Sequence, residues 1–322
     1  MAHTTTLTRS VAAAAASVAL LLTACSSGDD GSGTGSANPA GITIGIAMTS
    51  MDPWLGLLGD ATLAEAKSLG VEGKLVSAEA DAVTQLSQVQ NFITQGVSAL
   101  VVNPVDTEAS ETITSAAKAA GIPLVYVNRC PENLPANVPC VGSDSVEAGE
   151  LLMNALAELK DFKGTVAILE GDPTNNGQAV RERTQGCQSV IEAHPDMKLI
   201  KSGNGKWKRD TAMNVTENWL QSGEVPDMIC ANNDEMALGA INAVSAAGML
   251  DRVYVGGIDA TQDALQAMSE GTLKVTVFQD PVGQGSQAVQ AAVKLVKGEP
   301  VETFVNVPFE LVTPENMADF KK

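Results

Sequence analysis

Short apolar runs recur along this chain, each stopping at a polar cluster that is followed by apolar residues at helical spacing. The stretch 227–240, DMICANNDEMALGA, shows the unit most clearly. Met228, Ile229 and Cys230 make a run short enough for a buried strand. Asn232, Asn233, Asp234 and Glu235 end it, and Met236, Ala240, Ile241 and Val244 then repeat with helical period. A strand ending in amides and carboxylates, followed at once by a helix start, is the unit of a doubly wound parallel sheet. Such sheets bind ligands beyond the carboxyl ends of their strands. Taken alone, the same residues read as an Asn/Asp helix cap.

The pattern predicts strands over 42–48, 74–77, 98–102, 123–127, 164–169, 198–200, 228–230, 253–258 and 273–278. Helices are predicted over 55–69, 83–95, 108–120, 146–159, 179–193, 211–221 and 262–270, from 236 onward, and from 281 to 297. Strand and helix alternate through short connections, so the sheets are expected to be parallel with right-handed crossovers. The number of units in 322 residues exceeds one comfortable sheet and favours two α/β domains.

The first residues follow a different rule. Arg9 precedes an apolar run, 11–22, that is too short to span a bilayer and fits a signal h-region. The run ends in Leu22-Thr23-Ala24-Cys25, which resembles a bacterial lipobox. Residues 1–24 are therefore expected to be a lipoprotein signal peptide, with Cys25 carrying lipid; the alternative is an ordinary secretion signal with an incidental cysteine. The Gly/Ser-rich segment after Cys25, within 25–40, reads as a disordered tether. The folded part is expected outside the cytoplasm, held as a lipoprotein at the outer face of the cell membrane. In an oxidising compartment Cys130 and Cys140, which bound the loop CPENLPANVPC, are expected to form a disulfide. Cys187 and Cys230, inside a helix and a strand, are expected to be buried small apolar residues. No CxxC spacing points to metal or redox work.

Composition removes whole classes of function. A net charge of -18 speaks against nucleic acid, whose phosphates demand a basic footprint. His3 and His194 are the only histidines, which disfavours a histidine-dependent triad and a multi-histidine metal site. No GxGxxG follows the first strand and no Walker pattern is present, so neither cofactor nor metal is called for. Non-enzymatic binding is the expected class. A carboxylate-only carbohydrate hydrolase stays open, although no carboxylate pair stands apart by spacing.

The polar residues at the expected strand ends are Thr49, Asp52, Asn103, Asn128, Arg129, Asp172, Asn175, Asn233, Asp259 and Gln279. Amides, carboxylates and guanidinium groups donate and accept in fixed planar geometry, which suits a polyhydroxylated ligand. Aromatics make up only 3% of the chain, yet Trp54 and Trp207 fall in these same loops and could pack on the C–H face of a sugar or cyclitol. Trp219 sits on a helix and is expected in the core. Simpler roles compete: Asn233 and Asp234 as caps, Asp172 and Asp259 as turn residues, and Arg181 and Arg183 as a solvated face paired with Glu182 or Glu192.

The segments NDEMALGA (233–240), VGGID (255–259), Asn128-Arg129 and Arg181-Glu182-Arg183 together resemble the ribose-binding branch of the periplasmic sugar-binding proteins, over about residues 41–312. The resemblance implies a type 1 periplasmic binding protein fold, with two doubly wound lobes joined by three hinge strands and closing on one sugar. It implies lobes at 41–143 with 280–308, and at 144–279 with 309–322. It implies an ABC-transporter permease as partner, with a sensor serving a membrane receptor as the alternative, and a monomer. Carried over residue by residue, it implies ligand contacts at Asp52, Trp54, Asn128, Arg129, Arg181, Trp207, Asn233, Asp259 and Gln279. Asn128 stands where the family has aspartate, Asp52 where it has asparagine, and Leu55 and Ile258 where it has phenylalanine. The segments YVNR, GDPTNN, GGIDATQDAL and VTVFQ are similar to members that bind inositol or related polyols. The same fold forms the effector domain of lac-repressor-type regulators, which carry a DNA-binding helix-turn-helix where this chain has its lipobox and tether.

Overall fold

The structure, a computed structural model, describes residues 41–321. The expected signal peptide (1–24), the lipidation site Cys25 and the tether (25–40) lie outside the described residues.

The apolar runs form two separate sheets. The first is entirely parallel: β1 (Thr43–Met48), β2 (Glu72–Ser77), β3 (Ala99–Val102), β4 (Leu124–Val127), β5 (Cys140–Gly142) and β11 (Phe304–Asn306), in the order β11-β5-β4-β3-β1-β2. The second comprises β6 (Gly164–Glu170), β7 (Met197–Asn204), β8 (Met228–Ala231) and β9 (Tyr254–Gly256), again parallel, in the order β7-β6-β8-β9. Continuous apolar runs are what parallel sheets require, because helices cover both of their faces. Side chains alternate between those faces. Ala99 and Val101 join one core cluster while Leu100 and Val102 join another. In the second sheet Val166 and Ile168 face one cluster, Ala167 and Leu169 the other.

The helices are α1 (Pro53–Ser68), α2 (Ala82–Thr94), α3 (Glu111–Ala120), α4 (Ser145–Glu158), α5 (Pro173–Ala193), α6 (Arg209–Gln221), α7 (Asp234–Ala246), α8 (Gln262–Ser269) and α9 (Pro281–Val296). Their N-termini sit at the strand ends, and Asp52, Asp81, Asp144, Asp172, Asn233, Thr261 and Asp280 cap them through side-chain oxygens. The capping role set against a ligand role is thus real for Asn233, whereas Asp234 is the first residue of α7 and accepts from Thr261 and Thr276 instead; Asp52 and Asp172 cap their helices as well. Trp219 is buried in the core.

The chain passes between the two sheets three times: from β5 into α4, from β10 (Thr276–Phe278) into α9, and from β11 into β12 (Glu310–Val312). β10 and β12 pair antiparallel, and bridges Gly256↔Val275 and Asp259↔Phe278 dock this pair on the edge of β9. Gln284 on α9 donates to Ser143 at 2.8 Å, tying two of the crossings together. The strand expected over 253–258 is confined to Tyr254–Gly256, because beyond Gly256 the chain turns through isolated bridges. β5, β11 and β12, of three residues each, and the short 3-10 helix Met317–Phe320 are additions to the expected elements.

Cys130 and Cys140 are joined by a disulfide, with their Cα atoms 5.7 Å apart. Cys187 and Cys230 correct the expectation of isolated apolar cysteines. Both are fully buried, and they are bonded to each other, because α5 crosses β8 with their Cα atoms 6.8 Å apart. No described helix is long and apolar enough to cross a membrane.

Candidate functional site

The carboxyl ends of both sheets border one cavity of about 390 Å³. Asp52, Trp54, Asn128 and Arg129 line it from the ends of β1 and β4. Arg183, Trp207, Asn233 and Asp259 line it from α5 and the ends of β7, β8 and β9, and Gln279 lines it from a crossing. A second hollow of about 350 Å³ shares Asp52, Trp54, Trp207, Asn233 and Asp259.

Each side chain is held by local structure. Asp52 Oδ1 accepts from the N–H groups of Trp54 and Leu55 at 3.1 and 2.9 Å, fixing the start of α1. That start aims Trp54 inward, where its indole N–H donates to the Gln279 carbonyl at 3.0 Å. Asn128 adopts φ 67, a left-handed conformation that asparagine tolerates better than most residues. The turn drives Arg129 toward the ends of β1 and β3, where Nη1 donates to Thr49 Oγ1 and the Pro104 carbonyl, both at 3.2 Å. Burial lowers the pKa of Arg129 to about 10, with Arg183 adding to the fall and Asp52 opposing it, so the group stays charged at neutral pH.

Arg183 is the counterpart on the side of the second sheet. Its Nη1 donates to the Asn232 carbonyl at 2.7 Å and its Nη2 to Gln279 Oε1 at 3.0 Å. Asp259 Oδ1 lies 3.8 Å from Nη1, and both side chains are buried. Burial lowers the pKa of Arg183 and raises that of Asp259 well above the usual carboxylate range, while their mutual attraction opposes both shifts. Asn233 Oδ1 caps α7 by accepting from the Met236 N–H at 3.0 Å. Trp207, at φ 61, lies flat against Gly171, where any Cβ would collide with the indole. Two buried donors on residues lining the cavity, Arg183 Nε and Trp207 Nε1, find no acceptor among the described residues. Buried donors of this kind are rare unless something else occupies the space in front of them.

Arg181 is not in this cavity, which corrects the sequence expectation. Its side chain is 57% exposed, and Nη2 pairs with Glu132 Oε1 at 2.9 Å. It lines a different hollow of about 510 Å³, between α3 and the loop that follows Cys130. Arg181 and Arg183 are two residues apart on a helix, so they point to nearly opposite faces. Val180, Cys187, Val190 and Ile191 are buried on the same side as Arg183. That 3–4–7 spacing is visible in the sequence and was the signal for choosing Arg183. Gly149 and Gly186 let α4 and α5 meet backbone to backbone, with Gly149 directly under the Arg183 carbonyl. Ser50, Glu79, Asn176, Lys206 and Lys208 add to the rim; Ser50 and Asn176 fall in strand-end polar clusters, whereas the sequence offered no comparable pattern for Glu79, Lys206 and Lys208.

The family model described as a periplasmic binding protein domain matches residues 44–300. The chain belongs to the periplasmic binding protein family. A "Putative rhizopine-binding protein" of Rhizobium meliloti is 44% identical over 87% of this chain and 92% of its own length. A ribose import binding protein of Bacillus subtilis is 33% identical over 86% of this chain and 89% of its own. An ABC transporter solute-binding protein from Bacillus halodurans, solved with bound myo-inositol, superposes with a TM-score of 0.84 at 41% identity. That match covers 88% of this chain and 99% of the other. This binding protein therefore has the type 1 periplasmic binding fold and falls among the sugar- and polyol-binding solute receptors of ABC transporters, a family of extracytoplasmic binding proteins.

Proposed function

We propose that this binding protein captures a cyclic polyol of the inositol class, closes its two lobes on it and delivers it to the permease of an ABC importer. The observation that carries this reading is the pair of buried guanidinium groups, Arg129 and Arg183, brought from different sheets to one cavity with Asp259 beside them. Guanidinium forks and carboxylates hold ring hydroxyls in fixed directions, and the indoles of Trp54 and Trp207 offer faces for a ring's C–H groups. A hydroxyl oxygen in front of Arg183 Nε and Trp207 Nε1 would satisfy donors that the protein leaves buried. The cavity volume lies within the roughly 300–1,000 Å³ usual for small-molecule sites. The Bacillus halodurans structure and one from Caulobacter, 28% identical with a TM-score of 0.81, hold myo-inositol, which supports a cyclitol over a pentose.

In this reading Asp52, Trp54, Asn128, Arg129, Trp207, Asn233, Asp259 and Gln279, together with Arg183, contact the ligand. The lobes, 41–143 with 280–308 and 144–279 with 309–322, are the moving bodies, and the three crossings between sheets are the hinge. Cys25 carries lipid and tethers the monomer to the membrane beside its permease. Calorimetry across inositols, pentoses and hexoses tests the ligand class. Tight one-to-one binding of an inositol, with pentoses at least about tenfold weaker, is expected. Preference for a pentose, or release of a hydrolysed product, would replace the reading.

A further inference from the structure

We infer that Asn128 presents its amide N–H₂ group to the cavity, so that the ligand atom seated there must act as a hydrogen-bond acceptor. This rests on the polyol reading and fixes the polarity of one of its subsites. The two ends of an amide are nearly isosteric, so their orientation has to be set by partners. Here the chain of partners begins at backbone groups, whose polarity is not negotiable.

Asn103, fully buried at the end of β3, lies beneath Asn128. Its Oδ1 accepts from the Thr49 N–H at 3.4 Å, and its Nδ2 donates to the Val127 carbonyl at 3.1 Å. An N–H can only donate and a C=O can only accept, so the Asn103 amide has one permissible orientation. Turning it over would set donor against donor and acceptor against acceptor at zero exposure. The remaining hydrogen on Asn103 Nδ2 meets Asn128 Oδ1 at 3.2 Å. Asn128 thereby has its oxygen committed inward, which leaves its nitrogen as the end of the amide that serves the cavity the residue lines. Among the described residues none accepts a hydrogen bond from that nitrogen.

The arrangement is braced against rearrangement. The Asn103 carbonyl accepts from Gln85 Nε2 at 2.8 Å and from Thr49 Oγ1 at 3.0 Å, and Gln85 Oε1 accepts from the Val105 N–H at 2.8 Å. The Asn128 N–H is held by the Val141 carbonyl at 2.7 Å, so its backbone is pinned as well. Asn103 is thus a positioning residue, and Asn128 the residue that reads the ligand. A hydroxyl meets Asn128 in its accepting role. An ether, a ketone or a fluorine meets it equally well in polarity, whereas a group that can only donate does not. The site would accordingly take polyols in which one ring position carries an acceptor-only group.

The test uses the full chain, calorimetry, and myo-inositol with its monodeoxy and monodeoxy-monofluoro analogues. Asn128→Asp keeps an inward oxygen for Asn103 but replaces the outward N–H₂ with an acceptor of the same size. In the wild type, one fluoro isomer is expected to bind within about fivefold of myo-inositol, while the deoxy compound at that position loses at least about tenfold. In Asn128→Asp that same fluoro isomer is expected to lose at least about tenfold more than myo-inositol does, with the other isomers moving in step with the parent. Binding of myo-inositol with fluorine discrimination unchanged by Asn128→Asp would overturn this inference and leave the polyol reading standing. Failure of myo-inositol to bind the wild type would overturn both.

Discussion

Arg183 Nη1 stands 3.8 Å from Asp259 Oδ1, with the two side chains only 6% and 9% exposed. The pair joins α5 to the end of β9, and both members reach the cavity. Burial opposes charge on each, and their mutual attraction opposes that shift, so the couple costs stability unless its remaining hydrogen-bonding capacity is filled.

Binding should therefore depend on pH. The carboxyl of Asp259 is raised by burial, with Arg183 opposing the rise. A ligand hydroxyl that donates to Asp259 favours the ionised form, so ligand binding expels the proton. Affinity is expected to weaken as pH falls through the raised pKa and to level off above it. Calorimetry across a pH series checks this, and Asp259→Asn should flatten the profile while weakening binding throughout.

Asp234 behaves differently because it serves the fold. Fully buried, it accepts from Thr276 Oγ1 at 2.7 Å and from the Thr261 N–H at 2.8 Å. Desolvation raises its pKa to about 6, against the help of those bonds. A carboxyl raised in the folded state binds its proton more tightly there than in the unfolded chain. Its contribution is therefore whole below about pH 4 and is lost as pH rises through about 6, on the order of 2–3 kcal/mol. Melting curves of the wild type against Asp234→Asn over that range should converge in slope outside the window and differ inside it.

Arg181 and Glu132 connect α5 to the disulfide-bounded loop, and so link the two sheets at the surface. Both are mostly exposed, and such pairs are worth at most about 1 kcal/mol. Glu132→Gln is expected to speed ligand release by no more than about fivefold in stopped-flow traces, and the difference should vanish in high salt. A larger, salt-independent effect would place Arg181 in the ligand site after all.

The sheets were legible because β1, β3, β4, β6 and β8 are nearly pure apolar runs closed by polar clusters. β5, β11 and β12 were not, since three residues carry no period and owe their strand geometry to neighbours far along the chain. At the cavity, position relative to a strand end was enough to bring Asn128, Arg129, Trp207 and Asp259 into view. On a helix it was not: Arg181 and Arg183 share a motif but not a direction, and only the apolar stripe through Cys187 separates them. The Cys187–Cys230 bond and the orientation of Asn128 depend on contacts between distant segments. Neither has a local signature.

The central claim is that polar groups from both sheets act on one polyol. Calorimetry of myo-inositol against the wild type, Arg129→Gln and Arg183→Gln tests it most directly, because each variant removes a buried cation from one sheet alone. One-to-one binding by the wild type is expected, with either substitution weakening it at least about thirtyfold. Undiminished affinity in either variant would contradict a site shared between the sheets.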